Sequence, residues 1–263
     1  MKRLHFSYNM QISFDAPICE HHFTIKCVPL SDVRQSIENL QVRVEPNSFL
    51  SESRDSFGNH CIYGYEKTEH SLFLIHVEGD AVTGLAPVAR PVDTGKTAIF
   101  KYQTRITEPG ERLLAFHKRF RMNDRMSALD KALFFSQRIY ETMQYVPGAT
   151  NIDTSAEEAF TLQKGVCQDY AHILLSLCRI EKIPARYVVG FLKGEGASHA
   201  WVEVMTEDGI YGLDPTNNLM VKDEHIKVSC GRDYNDCTIN YGVFTGNAAQ
   251  EREVHVLVEE TAI

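Results

Sequence analysis

Three residues of this sequence have the types and the order needed for covalent catalysis at an acyl group. Cys167 follows Gly165-Val166 and opens an apolar segment, and His199 and then Asp214 come after it in the chain. A thiolate attacks a carbonyl carbon, an imidazole moves the proton, and a carboxylate orients the imidazole. The sequence therefore predicts an acyl-transfer enzyme in which Cys167 is the nucleophile, His199 the base and Asp214 the residue that orients the base.

The segment that begins at Cys167 is predicted to be a buried helix. Apolar residues between positions 166 and 180 fall on nearly all sides of a helix, and Ile183-Pro184 ends the pattern. A preceding helix should start at Thr154-x-x-Glu157 and stop at Gly165. The N–H groups of a first helical turn carry partial positive charge, which favours a thiolate and could hold an oxyanion. The N–H group of Cys167 is the first candidate donor.

His199 and Asp214 are predicted to lie on one β-hairpin. Residues 199–205 and 210–214 have the pattern of strands, and Asp208-Gly209 between them is a turn signal. Pairing about that turn sets residues whose numbers have an odd sum opposite one another, and side chains alternate between the two faces. Asp214 should therefore share a face of the sheet with His199.

The same hairpin poses a difficulty of distance. A strict two-residue turn at Asp208-Gly209 would fix the register in which the two strands pair. It sets Asp214 opposite Glu203, roughly 13 Å along the strand from His199. Contact between the carboxylate and the imidazole needs another register. We therefore predict a wider loop or a β-bulge between Thr206 and Tyr211.

A change of hydrophobic period along the chain predicts two domains. Up to about residue 107 apolar residues mostly alternate with polar ones, and the strand candidates include Cys61–Tyr65, Leu72–Val77 and Ala98–Thr107. After Pro109-Gly110 a helical stripe follows the capping pattern Ser127-x-x-Asp130. We predict an α+β protein with an N-terminal β-sandwich, residues 1–110, and a catalytic core, residues 111–263.

Several motifs resemble those of the transglutaminase-like superfamily. They are Gly165-Val166-Cys167-Gln168-Asp169-Tyr170-Ala171, Ser198-His199-Ala200-Trp201-Val202-Glu203 and Gly212-Leu213-Asp214-Pro215-Thr216. Asp55-Ser56-Phe57-Gly58-Asn59 is similar to the N-terminal region of bacterial transglutaminase-like proteins, and Gly231-Arg232-Asp233-Tyr234 to a stretch common in that group. The resemblance implies a papain-like core of helices on an antiparallel sheet, in which a cysteine at a helix start meets a histidine and an aspartate from adjacent strands.

The resemblance leaves the acyl acceptor open. The superfamily includes cross-linking enzymes, peptidases and amidases that share a thioester intermediate, which either water or an amine resolves. Bacterial members of this build are more often similar to hydrolases, so we expect a cysteine peptidase or amidase that acts on a peptide, a protein or a small amide. The alternatives are a protein-glutamine transamidase and, from another class, a binding module on an inactive transglutaminase-like fold.

Three residues near the triad are candidates for contacts with substrate or oxyanion, and each also has a structural interpretation. Trp201 should flank His199 and line the acyl channel, or else pack in the core. Gln163 could help to bind the oxyanion, or it could serve a helix end. Asp169 could contact substrate, although the helix dipole favours a carboxylate in a first turn in any case.

The other cysteines and histidines are expected to be structural. Cys178 lies inside the apolar helix, and His172 and His225 are the alternative histidines that we consider less suitable as the base. Cys-x-x-Cys and His-x-x-x-His pairs are missing from the sequence, and Gly194-x-Gly196 lacks the third glycine of a phosphate-binding loop. We therefore predict neither a metal nor a cofactor.

Composition argues against several other classes of protein. The net charge of -8 over 263 residues, with no basic run longer than Lys2-Arg3, is untypical of nucleic-acid binding. Apolar runs fall far short of the roughly 20 residues of a membrane helix, and the N-terminus alternates where a secretory signal would be continuously apolar. Seven scattered cysteines suit a reducing cytoplasm. The role of the N-terminal region stays open: it could position substrate, complete the cleft or support a homo-oligomer.

Overall fold

The computed structural model of the chain describes residues 1–86, 97–120, 122 and 125–262. The strands are β1 (Lys2–Ile25), β2 (Gln35–Glu45), β3 (Phe49–Arg54), β4 (His60–Glu66), β5 (His70–Thr83), β6 (Gln144–Tyr145), β7 (Lys164–Gly165), β8 (Ala185–Leu192), β9 (Gly194–Gly196), β10 (His199–Met205), β11 (Ile210–Asp214), β12 (Leu219–Met220), β13 (His225–Gly231), β14 (Asn240–Thr245) and β15 (Gln250–Thr261). The helices are α1 (Glu111–Arg119), α2 (Ala128–Thr142), α3 (Ala156–Leu162) and α4 (Cys167–Ile180), with 3₁₀ helices at Ala98–Lys101 and Tyr234–Cys237. In this described part of the chain, every helix is too short or too polar to cross a membrane.

Strand β1 organises the larger sheet, which joins eight of the described strands. Its first half pairs with β5 and β15, and its second half pairs with β4 and β14. Alternate residues of β1, beginning with Leu4, Phe6 and Tyr8, are buried, as the period-two pattern predicts. Because one continuous strand runs through both groups of partners, the strands form a single curled sheet. The predicted β-sandwich is not confirmed.

A five-stranded sheet in the order β12-β11-β10-β8-β13 carries the second half of the fold. Helix α4 packs on β10 and β8, and its residues from Asp169 to Arg179 are buried, which confirms the buried helix that the sequence predicts. Helix α2 packs against α4, and the hydroxyl of Ser127 caps α2 by accepting a hydrogen bond from the N–H of Asp130. The mixed class of helices on a sheet is confirmed.

The two sheets pack against each other through aromatic side chains. The rings of Phe6 and Tyr8 lie 5.9 and 5.5 Å from the ring of Phe191 on β8, and Ile226 belongs to the same core. Strands β9, β14 and β15 also join the sheet of the N-terminal strands. The domain boundary at residue 110 stays a prediction, and segments far beyond it contribute strands to the first sheet.

Residues Ala98–Thr107 are not a strand, so this part of the prediction is wrong. The 3₁₀ helix at Ala98–Lys101 is followed by turns. The carbonyl oxygen of Phe100 and the hydroxyl of Thr107 both accept hydrogen bonds from the buried guanidinium group of Arg179. These two polar groups of the segment are therefore satisfied by a side chain of α4 and not by a neighbouring strand.

Helix α3 is present where the sequence predicts a helix, but both ends differ. Its capping box is formed by Ser155 and Glu158, one residue after the predicted pair. It ends at Leu162, with Gln163 in the left-handed conformation at a φ of 53°, and not at Gly165. The one-residue error at the start of the helix arises because adjacent polar residues offer alternative caps of similar energy.

Glu157 caps a neighbouring helix. Its carboxylate accepts hydrogen bonds from the N–H groups of Gly110, Arg112 and Leu113 at the start of α1, at 2.9, 2.7 and 3.0 Å. Replacing Glu157 with alanine should lower the free energy of unfolding by about 1–2 kcal/mol, because these donors lose their acceptor. Urea denaturation measures the change. Removal of the exposed carboxylate in Asp153→Ala is the control, and an equal loss in both variants would contradict the assignment.

Candidate active site

Cys167 is the first residue of α4, and its side chain is half-buried. The helix start is held by Asp169, whose carboxylate accepts hydrogen bonds from the N–H of Val166 and the hydroxyl of Thr150, both at 2.7 Å. Burial raises the pKa of Asp169 even though these hydrogen bonds act in the opposite direction. A Cβ atom at Gly165 would collide with the same carboxylate, so glycine is needed for this close approach. The contacts favour the structural interpretation of Asp169.

The register of the β10–β11 hairpin differs from the predicted one. Thr206 and Gly209 exchange backbone N–H···O bonds, so the turn is the two-residue loop Glu207-Asp208. From this turn the strands pair without a shift, Met205 opposite Ile210 and onward to Val202 opposite Leu213. The predicted wide loop or bulge is therefore wrong. The tight turn lies one residue earlier than the turn signal suggested, and this moves Asp214 two positions closer to His199.

The two side chains meet on one face of the sheet, as the parity of the hairpin predicts. Nε2 of His199 and Oδ2 of Asp214 are 2.7 Å apart. Since Val202 pairs with Leu213, Asp214 lies diagonally across the ladder from His199, a separation that an aspartate and an imidazole can span. The short hydrogen bond therefore needs no distortion of the strands.

Asp214 is completely buried and fully hydrogen bonded. Its Oδ1 accepts from the N–H groups of Thr216 and Asn217, and its Oδ2 accepts from the side-chain amide of Asn217 as well as from His199. Burial would raise the pKa of this carboxyl group, but the hydrogen bonds from His199, His225 and Asn217 hold it well below its usual range. Asp214 is therefore a fixed negative charge beside the imidazole.

The imidazole of His199 lies between that carboxylate and the thiol of Cys167. Burial lowers the pKa of His199, but its hydrogen bond to Asp214 and its interaction with Cys167 outweigh this effect and raise the pKa to about 10. Nε2 is engaged by Asp214, which leaves Nδ1 as the ring nitrogen available to the sulfur. The arrangement favours an imidazolium ion next to the cysteine at neutral pH.

His225 is the neighbour that the sequence analysis did not assign to the site. It is buried on β13, and its Nε2 lies 3.5 Å from Oδ2 of Asp214. Strand β13 reaches this place by pairing with β8, a partner more than thirty positions earlier in the chain, so short-range patterns carry no signal for the contact. His225 extends the hydrogen-bond network behind the carboxylate.

His199, Asp214 and His225 also have a spacing at which residues can ligate a metal. One ligand atom from each lies within 4.8 Å of the others. The same atoms already form hydrogen bonds centred on Oδ2 of Asp214, which Asn217 also contacts. These side chains are compatible with either a metal site or a hydrogen-bond network, and the absence of a metal stays a prediction.

The other residues singled out in the sequence lie elsewhere. Trp201 is buried and packs edge-on against His225, with ring centroids 5.3 Å apart, so it supports the network from the core side. Gln163 is exposed at the end of α3. Burial lowers the pKa of His172 to about 3, and its Nε2 accepts a hydrogen bond from the N–H of Tyr234. Cys178 is fully buried, and burial raises its pKa to about 12.

A cleft of about 330 Å³ opens above Cys167 and His199. This volume is at the small end of the range of roughly 300–1,000 Å³ that ligand pockets occupy. Trp201, Gln163 and Asp169 are not among its lining residues, which are Tyr8, Met10, Ile152, Val166, Cys167, Gln168, Tyr187, Val189, Ala197, Ser198, His199, Ala200, Tyr234, Ile239, Arg252 and Val254. The cleft is therefore built from both sheets and from α4.

Two protein-family models match the chain. The model of the transglutaminase-like superfamily matches residues 116–215, and that of the bacterial transglutaminase-like N-terminal region matches residues 4–82. Cys167, His199 and Asp214 all lie within the first match. The second match covers the strands from β1 to β5 almost completely.

Two relatives and one solved structure are also similar to this chain. An uncharacterized protein of Mycobacterium leprae is 32% identical over 176 residues, 63% of this chain and 60% of that protein. An uncharacterized protein of Mycobacterium tuberculosis is 35% identical over 129 residues, 43% of this chain and 41% of that protein. The chain thus spans less than two thirds of both relatives. The crystal structure of a candidate cysteine protease from Cytophaga hutchinsonii shares the fold, with a TM-score of 0.83 at 23% identity, over 100% of this chain and 91% of that one.

Proposed function

The chain belongs to the transglutaminase-like superfamily, and we propose that it is a cysteine-dependent acyl-transfer enzyme, most simply a peptidase or amidase. One observation carries the proposal. The imidazole of His199 lies between the buried carboxylate of Asp214 and the thiol of Cys167. Cys167 is at the N-terminus of α4, and both Cys167 and His199 line the cleft. These are the positions that a base, an orienting group and a nucleophile require.

In the first half of the reaction the thiolate of Cys167 attacks the carbonyl carbon of an amide. The carbonyl π electrons move to oxygen, and N–H groups at the start of α4, including that of Cys167, stabilise the oxyanion. The imidazolium of His199 then gives its proton to the amide nitrogen, the C–N bond breaks, and the amine leaves. A thioester and a neutral imidazole remain.

In the second half the neutral imidazole acts as a base. Formation of the thioester removes the sulfur charge that helps to raise the pKa of His199, so the ring is better able to accept a proton from the attacking acceptor. Attack on the thioester and return of the proton to sulfur release the acyl product. Asp214 keeps the ring orientation and stabilises its positive charge throughout.

We propose water as the acceptor. The half-buried side chains of Gln168 and Ser198 line the cleft beside Cys167 and offer polar groups that can hold a water molecule near the thioester. Transamidation follows the same first half and differs only in the acceptor, so the two reactions are distinguished by their products.

Selective alkylation of Cys167 tests the proposal without a known substrate. Because the pKa of His199 is raised to about 10, its imidazolium persists through neutral pH and is lost only as the pH rises past that value. We expect iodoacetamide to modify Cys167 at least about tenfold faster than the other six cysteines below pH 7, and His199→Ala to lose this advantage. Mass spectrometry of each cysteine peptide measures the rates.

The matched control is His255→Ala, which removes an exposed histidine of β15 that is absent from the cleft lining. This variant should keep the selective alkylation of Cys167. If Cys167 reacts no faster than the buried Cys178 in the wild-type protein, the assignment of the nucleophile is wrong and an inactive binding module becomes the better explanation.

A further inference from the structure

The cleft has two walls that come from different sheets. Cys167, His199 and Tyr187 form one wall, on α4 and the five-stranded sheet. The opposite wall is formed by Tyr8 and Met10 of β1 and by Arg252 and Val254 of β15. The larger sheet therefore takes a direct part in the substrate site, and its side chains are candidates for determining specificity.

The direction of the Arg252 side chain is fixed by the alternation of β15. Val254, Val256 and Val258 occupy the same parity of this strand, and the last two are buried in the core between the sheets. Arg252 pairs with Ile12 of β1 in continuous register, so it must present its side chain on this same face. It lies where this face leaves the core and enters the cleft.

Arg252 is the charged residue of this wall, and its side chain is exposed. In residues 1–86, 97–120, 122 and 125–262 the structure gives its guanidinium group neither an ion pair nor a hydrogen bond. The cleft-lining residues include no aspartate or glutamate. The positive charge acts on the phenol of Tyr8, where it opposes the rise in pKa that burial causes.

We infer that Arg252 binds a carboxylate of the substrate, so that the enzyme acts on amides that carry a carboxylate close to the bond attacked. This inference rests on the proposed function. A guanidinium group binds a carboxylate through two parallel N–H···O bonds. Arg252 is exposed, so this contact would form at the open edge of the cleft. The carboxylate belongs either to an acidic side chain or to a free C-terminus.

Pairs of alkylating reagents that differ only in charge test the inference. N-iodoacetylglycine carries a terminal carboxylate, and its primary amide is the neutral partner. N-iodoacetyl-aspartic acid α-amide carries a side-chain carboxylate. Its neutral partner is N-iodoacetyl-asparagine amide, in which the side-chain carboxylate is replaced by an amide. The ratio of anionic to neutral rates at Cys167 measures recognition of the carboxylate, and the better pair identifies its source.

We expect a ratio of about ten for one of the pairs in the wild-type protein, because a charged cleft raises the local concentration of its counter-ion. Arg252→Gln should bring the ratio close to one, and Arg252→Lys should keep part of it, since lysine retains the charge but not the paired hydrogen bonds. The ratio of the wild-type protein should also fall as the salt concentration rises.

The control is Arg43→Gln, which removes the same charge from an exposed position on β2 of the same sheet, outside the cleft. It should keep the wild-type ratio. Equal ratios in wild-type and Arg252→Gln proteins would overturn the inference and leave the proposed function intact. Failure of Cys167 to react selectively even with the neutral reagents would overturn the proposed function, and the inference with it.

Discussion

Replacing Cys167 with alanine should abolish turnover and leave the fold unchanged. The alanine cannot form the thioester, and the oxyanion donors at the start of α4 have no tetrahedral intermediate to bind, so we expect a loss of at least about 10⁴-fold in kcat. Release of new amino groups from casein measures hydrolysis, and incorporation of a fluorescent primary amine measures transamidation. Both signals should disappear, and in the wild-type protein hydrolysis should dominate.

Cys178→Ala is the matched control because it removes a thiol from the same helix. Cys178 is fully buried and packs in the core away from the cleft. The variant should retain most of the activity and lose roughly 1 kcal/mol of stability, since a small cavity replaces the sulfur. Activity in Cys167→Ala above a small fraction of the wild-type value, with a normal circular dichroism spectrum, would contradict the proposed mechanism.

Replacing Asp214 with asparagine should lower kcat by about 10²–10⁴-fold. An asparagine fits the same space, but its amide is neutral and can turn an N–H toward Nε2 of His199, which removes the charge that keeps the imidazolium protonated. Burial of His199 is then opposed only by the interaction with Cys167, and the pKa of His199 falls. The alkylation of Cys167 should therefore lose its advantage below pH 7, as in His199→Ala.

The control for this variant is Asp208→Asn, the same substitution in the exposed turn of the same hairpin. It should leave both kcat and the alkylation profile unchanged within about twofold. A value of kcat for Asp214→Asn within tenfold of the wild-type value would mean that the carboxylate serves only to hold the strands together. A normal denaturation midpoint of Asp214→Asn would show that the expected loss of kcat is not caused by unfolding.

The local elements of the site could be predicted because their signals are local. Apolar residues on nearly all sides of the segment after Cys167 indicate a buried helix, and α4 begins at this residue. The bounds of β10 and β11 agree with the predicted strands, and the odd sum of their pairs puts Asp214 on the face of His199. Such patterns depend only on the period of the side chains.

Predictions that depended on choosing between neighbouring positions were less accurate. The turn lies at Glu207-Asp208, not at Asp208-Gly209, and this single position decides whether Asp214 reaches His199. The glycine follows the turn with a φ of 155°, so it is still used for its conformational freedom, but at a different position. A turn dipeptide indicates the presence of a hairpin more reliably than its register.

The sequence by itself determined the helix that begins at Cys167, the hairpin and the face on which an imidazole and a carboxylate could meet, because each follows from the period of a short segment. Tertiary structure alone decided three other features. It placed His225 next to Asp214, and it gave Ala98–Thr107 a 3₁₀ helix and turns where a strand was predicted. It also brought Arg252 and Cys167 to the lining of the same cleft. Each depends on pairing or packing between segments far apart in the chain, whose free energy comes from burial and not from local preference.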